Sequence, residues 1–332
     1  MKRLSGKPPI ALLLVLALAT PASAMQIAKR IPGPDGGWDY ASFDAEGHRL
    51  FIARANAVQT VDIGTGQVTP AFLPAQRGHS AFVMPGTGLG LSTNGTSNTA
   101  TIFDARTGAI KAQIPTGKKP DAAIYDASTR LAYVMNGDDG TVTLIDPKAM
   151  RAVGTIPVGG KLEFAAADGQ GHMYVNVEDK AEIVAIDVAG RKVTRRVKLT
   201  SCEEPSGLAL TRQGTLIASC GNGVAKLVDA ATFHQLPDVA IGEGPDAVLY
   251  DNAHDRAYIP SGQSGTLAVF DTSATIPRKI DTVTTQRGAR TGAVDPATGT
   301  VYLPTAHYAE KQPGEERPQS IPGTFEVLVI AN

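Results

Sequence analysis

From about residue 26 to its end, the chain alternates apolar and polar positions with a period of two, interrupted every few residues by Gly, Asp, Asn or Pro. Residues 131 to 146, LAYVMNGDDGTVTLID, show the unit: two runs rich in β-branched and aromatic residues around a Gly-Asp-Asp-Gly break. That pattern predicts a β-hairpin. A single hairpin cannot bury a core, so it has to lean on others. No window carries helical spacing, which excludes helical repeats.

The hairpin recurs. An apolar run closing on aspartate appears at Asp62, Asp104, Asp146, Asp187, Asp229 and Asp271, at steps of 42, 42, 41, 42 and 42 residues. Each aspartate opens a turn, and the strand after it often ends Ile-Pro, as in AQIPTG and GTIPVG. Ahead of each lies a run such as YVMN, YVNV or YIPS, and ahead of that a strand of small residues: Ala41, Ala81, Ala122, Ala165, Gly207, Ala247 and Gly292. Four short antiparallel strands per period of about 42 residues suit propeller blades. The fold class is therefore all-β: a seven-bladed β-propeller of four-stranded antiparallel blades. The seventh unit stops without an outer strand, and QIAKRIPG near the start matches the outer strands elsewhere. Residues 27 to 31 are expected to pair with residues 325 to 330, so that the N-terminal strand completes blade seven and closes the ring.

The first residues stand apart. Lys2, Arg3 and Lys7 precede an apolar stretch over residues 10 to 19, then TPASA with small residues at Ala22 and Ala24. This reads as a secretory signal over residues 1–24, too short to span a bilayer, followed by one propeller domain over 25–332. The expected location is periplasmic or secreted, with no membrane anchor. Removing the leader takes three basic residues from 31, leaving 28 against 32 acidic, a balance of −4. A mildly acidic domain without Lys/Arg runs makes no nucleic-acid partner. Cys202 and Cys220 are the only cysteines. In an oxidising compartment the pair is read as a disulfide ahead of two buried free thiols.

AYVMN, MYVNV and AYIPS, each followed by an apolar run and aspartate, resemble the YVTN-repeat, YncE-like family of seven-bladed propellers over nearly all of residues 26 to 332. The Gly-His and Trp-Asp signatures of WD40 blades are missing. The resemblance implies fold and export; related propellers include lactonases, lyases and electron-transfer subunits, and fold does not transfer function.

Aligning the blades places one residue of each inner strand at the channel mouth: Asp39, His79, Asp121, Glu163, Ser206, Asp246 and Arg290. Trp38, Arg77, Lys161, Glu243 and Arg287 stand just outside. Six ionisable positions among seven are more than packing needs, and a polar ligand or metal would use them. A hydrated entrance is the plainer alternative, and the Pro-Asp pairs at Asp121 and Asp246 also suit loop capping. The leading expectation is an exported, monomeric protein binding a small polar molecule or a protein partner at the mouth. The alternative is a lactonase or lyase, with His79 or Glu163 as general base and Arg77 or Arg290 holding a carboxylate or oxyanion. No Cys/His spacing marks zinc. Calcium or magnesium at the mouth would need Asp39, Asp121, Glu163 and Asp246 to converge. His48, His172, His254 and His234 fall in turns and read as solvated. Blade seven carries a polar insertion over about 307–322 on the mouth face, with His307 and Tyr308 at its root as candidate contacts.

Overall fold

The computed structural model describes residues 24–311 and 318–332; the leader and the centre of the blade-seven insertion lie outside the described residues. Seven sheets of four antiparallel strands form the ring. The inner strands are Trp38–Asp44, Gly78–Met84, Pro120–Asp126, Leu162–Ala167, Pro205–Leu210, Leu249–Asp251 and Ala293–Val294. In blade seven the order from the outside is Gln26–Pro32, Glu326–Ala331, Val301–Thr305 and Ala293–Val294. Ile27 pairs with Ile330 and Ile31 with Val327, the expected closure of the ring by the first strand.

Each feature of the repeat has a physical role. Strands two and three are buried almost end to end, as in Leu131–Asn136 and Thr141–Asp146, because both faces meet neighbouring blades. Outer strands are exposed except for one anchor just before the closing proline: Ile31, Leu73, Ile114 and Ile156 are all buried. Proline lacks an N–H, so it ends an edge strand without wasting a donor. The repeated aspartates cap turns. Asp62 accepts the Thr65 N–H at 2.8 Å, Asp104 that of Thr107 at 2.9 Å, and Asp229 that of Thr232 at 2.7 Å. The tyrosine of YVMN, Tyr133, donates to Asp126 at 3.0 Å, and Asp126 in turn holds the turn N–H of Ser128 at 2.9 Å. Asn136 donates to the hydroxyls of Thr141 and Thr143 on the next strand. The aspartate and asparagine of the repeat therefore hold turns and strands together.

Crowding around the axis explains the small inner residues. A Cβ added to Gly207 would lie 2.4 Å from the backbone of Ala247 in the next blade. Blades also cross-link near the axis: Ser42 donates to the Ala81 carbonyl at 2.8 Å and Thr291 to the Asp39 carbonyl at 2.8 Å. Blades six and seven depart from the pattern. Their inner strands are shortened, and nearby the Asp246 N–H donates to the Arg290 carbonyl of the next blade at 3.2 Å.

Cys202 and Cys220 are disulfide-bonded, closing an 18-residue span in blade five. Reduction is expected to cost about 2 kcal/mol, the low end for a native bridge, because the loop of Cys202 and the strand end at Cys220 stay held by the neighbouring Pro205–Cys220 pairing and the Gly221 N–H to Glu203 carbonyl bond. Urea melts with and without reductant check this; an unchanged midpoint would mean the bridge is energetically idle.

Candidate functional site

The second residue of each of the first five inner strands projects at the mouth: Asp39, His79, Asp121, Glu163 and Ser206. Asp246 and Arg290 complete the ring from the loops that lead into blades six and seven. His79, Asp121 and Glu163 are each less than a tenth exposed. These groups are linked in chains. His79 Nδ1 lies 2.7 Å from Asp39 Oδ2 and 3.0 Å from Asp121 Oδ1, and Lys119 Nζ holds Asp121 Oδ2 at 2.9 Å. Lys161 bridges Glu163, at 3.3 Å, and Glu178. Arg290 Nε donates to Asp246 at 2.9 Å, and its NH2 reaches the Trp38 carbonyl at 3.3 Å. Among the described residues, no hydrogen bond or ion pair joins any two of His79, Glu163 and Arg290.

The charge balance is uneven. Five carboxylates (Asp39, Asp121, Glu163, Glu178, Asp246) meet three fixed cations and one histidine. Burial pushes the Glu163 carboxyl up to about 7, with Asp121 and Asp246 adding to the rise and Lys161 opposing it. Burial also raises Asp246 despite its Arg290 partner, helped by Asp39 and Asp121. Burial works against a charged His79, but the hydrogen bond to Asp39 and the charges of Asp121 and Asp39 outweigh it, so its pKa is raised. A ring short of positive charge favours a cation from solution.

Tyr40 of blade one reaches into the apolar cluster that holds Ala122, Ala165 and Ala247 from blades three, four and six. Its ring lies 5.1 Å from that of Phe164. The Tyr40 hydroxyl is buried without a hydrogen-bond partner, and the carboxylates acting on it are Asp246, Glu163, Asp39 and Asp121. A cavity of about 280 Å³ borders both Tyr40 and Phe164 and is otherwise lined by the inner strands of blades one to three. A second cavity of about 500 Å³ opens between blades two and three around Tyr125, Arg130 and Asp146. Neither is lined by a ring residue.

The other residues singled out in the sequence sit as follows. Trp38 is buried, its ring 5.2 Å from Phe325 and 6.5 Å from Tyr308, at the seam of blades one and seven. Tyr308 is half-buried and covers Gly288, while Arg77, Glu243, Arg287 and His307 are exposed. Tyr308 and Ser320 form a bridge, so both ends of the insertion are tied together at its root. His172 and His254 pair with the turn aspartates Asp168 and Asp251 at 2.8 and 2.7 Å, with half-exposed side chains.

No family model matches the chain, and no curated protein does. Solved structures do resemble it. A chain of the Kuenenia stuttgartiensis hydrazine synthase aligns with a TM-score of 0.68 at 15% identity, over 86% of this chain and 95% of that one. A chain of a mitotic checkpoint complex aligns at 0.76 and 10% identity, over 100% and 98%. U3-55K aligns at 0.74 and 10%, over 92% and 98%. The likeness is one of fold: a seven-bladed β-propeller.

Lys119, Tyr40 and Glu178 are site residues that the sequence pattern alone does not single out. Lys119 stands two positions before Asp121, as Lys161 does before Glu163, and that shared spacing is the signal for it. The residues next after the ring positions are Tyr40, Ser80, Ala122, Phe164, Gly207, Ala247 and Thr291. The two aromatics in that column, Tyr40 and Phe164, are the two that pack on each other.

Proposed function

We propose that this is an exported propeller of the YVTN-repeat, YncE-like kind, processed after Ala24 to a single monomeric domain, which binds a small cation-bearing polar ligand at the mouth. The observation that carries the reading is the buried carboxylate group around Glu163. Asp121 and Asp246 crowd it, and its one cationic partner, Lys161, is shared with Glu178, so its ionised form is under-compensated and a bound cation would supply the balance. The disulfide supports the exported assignment. The lactonase or lyase reading draws less support, since His79, Glu163 and Arg290 each face separate partners. A protein partner docking on the blade-seven insertion has no comparable charge imbalance behind it.

Trp38 is the single tryptophan of the chain and lies under the rim, its carbonyl bonded to Arg290, so its fluorescence reports on the mouth. Titration with a panel of small amines, amino acids and carboxylates should show binding by the cations. Affinity should rise about tenfold from pH 6 to pH 8 as Glu163 ionises. The groups facing it are Lys161, Lys119, Asp121 and Asp246. Glu163→Gln should remove that rise. Binding of carboxylates alone, or an unchanged profile in Glu163→Gln, would overturn the reading.

A further inference from the structure

Asp39, His79 and Asp121 come from three successive blades and meet at one point. Each offers one donor atom, and the three atoms lie within 4.8 Å of one another. Two separations are 2.7 and 3.0 Å, both measured from His79 Nδ1. Ligand atoms each about 2.1 Å from one ion and at right angles lie about 3.0 Å apart. Two of the cluster's three edges therefore lie near the right-angle edge of a first coordination shell, and somewhat short of the roughly 3.4 Å edge of a tetrahedral one. An imidazole nitrogen carries at most one proton, and here that proton must serve two carboxylates at once.

Three further observations separate this cluster from an ordinary ion pair. Lys119 holds the second oxygen of Asp121 at 2.9 Å, which fixes the carboxylate and leaves Oδ1 turned to His79, the arrangement outer groups impose on metal ligands. Among the described residues the buried Tyr40 hydroxyl has no hydrogen-bond partner, and it lies in the field of Asp246 and Glu163 and, more weakly, of Asp39 and Asp121. It is an orphan polar group that a ligand or its water would satisfy. The remaining histidine–aspartate pairs, His172–Asp168 and His254–Asp251, have one carboxylate each, half-exposed imidazoles and aspartates already engaged by turn N–H groups.

We propose that Asp39 Oδ2, His79 Nδ1 and Asp121 Oδ1 bind a first-row divalent transition ion such as Zn²⁺, with water or the ligand taking the remaining positions. One imidazole among the donors favours such an ion over Ca²⁺ or Mg²⁺, which prefer all-oxygen shells. The inference rests on reading the mouth as a cation site and names the cation. It concerns the Asp39–His79–Asp121 side of the ring, whereas the organic cation was argued from Glu163.

The test uses the full mature chain after treatment with a chelator and titrates Zn²⁺ alone, monitored by calorimetry and by metal analysis of the dialysed protein. The expected result is one Zn²⁺ per chain, weakened at least about 100-fold in His79→Gln and in Asp121→Asn, and unchanged in His254→Ala. Far-UV circular dichroism confirms that the variants are folded. Should His79→Gln fail to fold, Co²⁺ added to the wild type should give visible bands of a nitrogen–oxygen shell and move the His79 Nδ1 resonance. No stoichiometric Zn²⁺ uptake, or uptake that survives His79→Gln, overturns the proposal. If Zn²⁺ does not bind while amines still perturb Trp38 in a Glu163-dependent way, the metal inference alone falls. If neither binds, the cation reading of the mouth falls with it.

Discussion

Ile31→Asp is expected to open the ring. Ile31 is the one fully buried side chain of the first strand, set among Trp38, Phe325 and Val327 at the seam. Removing an isoleucine from that contact costs about 3 kcal/mol. Placing an unpaired carboxylate there adds at least about 2 kcal/mol. A loss near 5 kcal/mol is comparable to the whole stability of many domains. In a closed array the damage spreads beyond the mutated strand. Once Gln26–Pro32 lets go, Glu326–Ala331 becomes an exposed, apolar strand edge, which invites association with other chains. Thermal melts with parallel light scattering should show a lower midpoint and concentration-dependent aggregation. Lys29→Asp, at an exposed position on the same strand, should leave both nearly unchanged. A monomeric Ile31→Asp variant with an unchanged midpoint would mean the seam does not hold the ring.

Glu163→Gln is expected to stabilise the fold at alkaline pH. Burial first, then Asp121 and Asp246, raise this carboxyl to about 7 from its ordinary 4.5. A group whose folded pKa is raised contributes its stability below the unfolded value and loses it as pH climbs through the folded value. The window therefore runs from about pH 4.5 to pH 7, and above it the ionised carboxylate weighs against folding by on the order of 3 kcal/mol. Glutamine has no charge to bury, and Lys161 keeps Glu178 as its partner. Urea melts at pH 5 should give similar stabilities for variant and wild type, with the variant ahead at pH 8. Equal differences at both pH values would show that Glu163 does not titrate in this range. Together with the binding profile, the two measurements would show a site that gives up stability to hold a charge.

The architecture is legible because propeller physics writes itself into the chain several times over. Turn-capping aspartates, buried tyrosines and proline-ended outer strands recur at one period, and a missing strand at one end matches a surplus strand at the other. The seam follows from that mismatch alone. Contacts between blades stay hidden, because sequence spacing does not encode them. A backbone hydrogen bond from Asp246 to Arg290 crosses from blade six to blade seven with no mark in the repeat. The linkage of Asp39, His79 and Asp121 depends on side chains from three blades that share no sequence neighbourhood. Alignment of the blades names the ring members, yet it cannot say who meets whom. Trp38 shows the limit from the other side: its position beside the ring is plain from the repeat, while its side chain turns into the seam with Phe325.

Tyr40 and Phe164 pack ring against ring, and the Tyr40 hydroxyl lies in the field of four of the mouth carboxylates. Whatever settles among those carboxylates therefore meets an aromatic wall as well as charge. Selectivity would then depend on how well a guest's apolar part fits that wall, not on its charge alone.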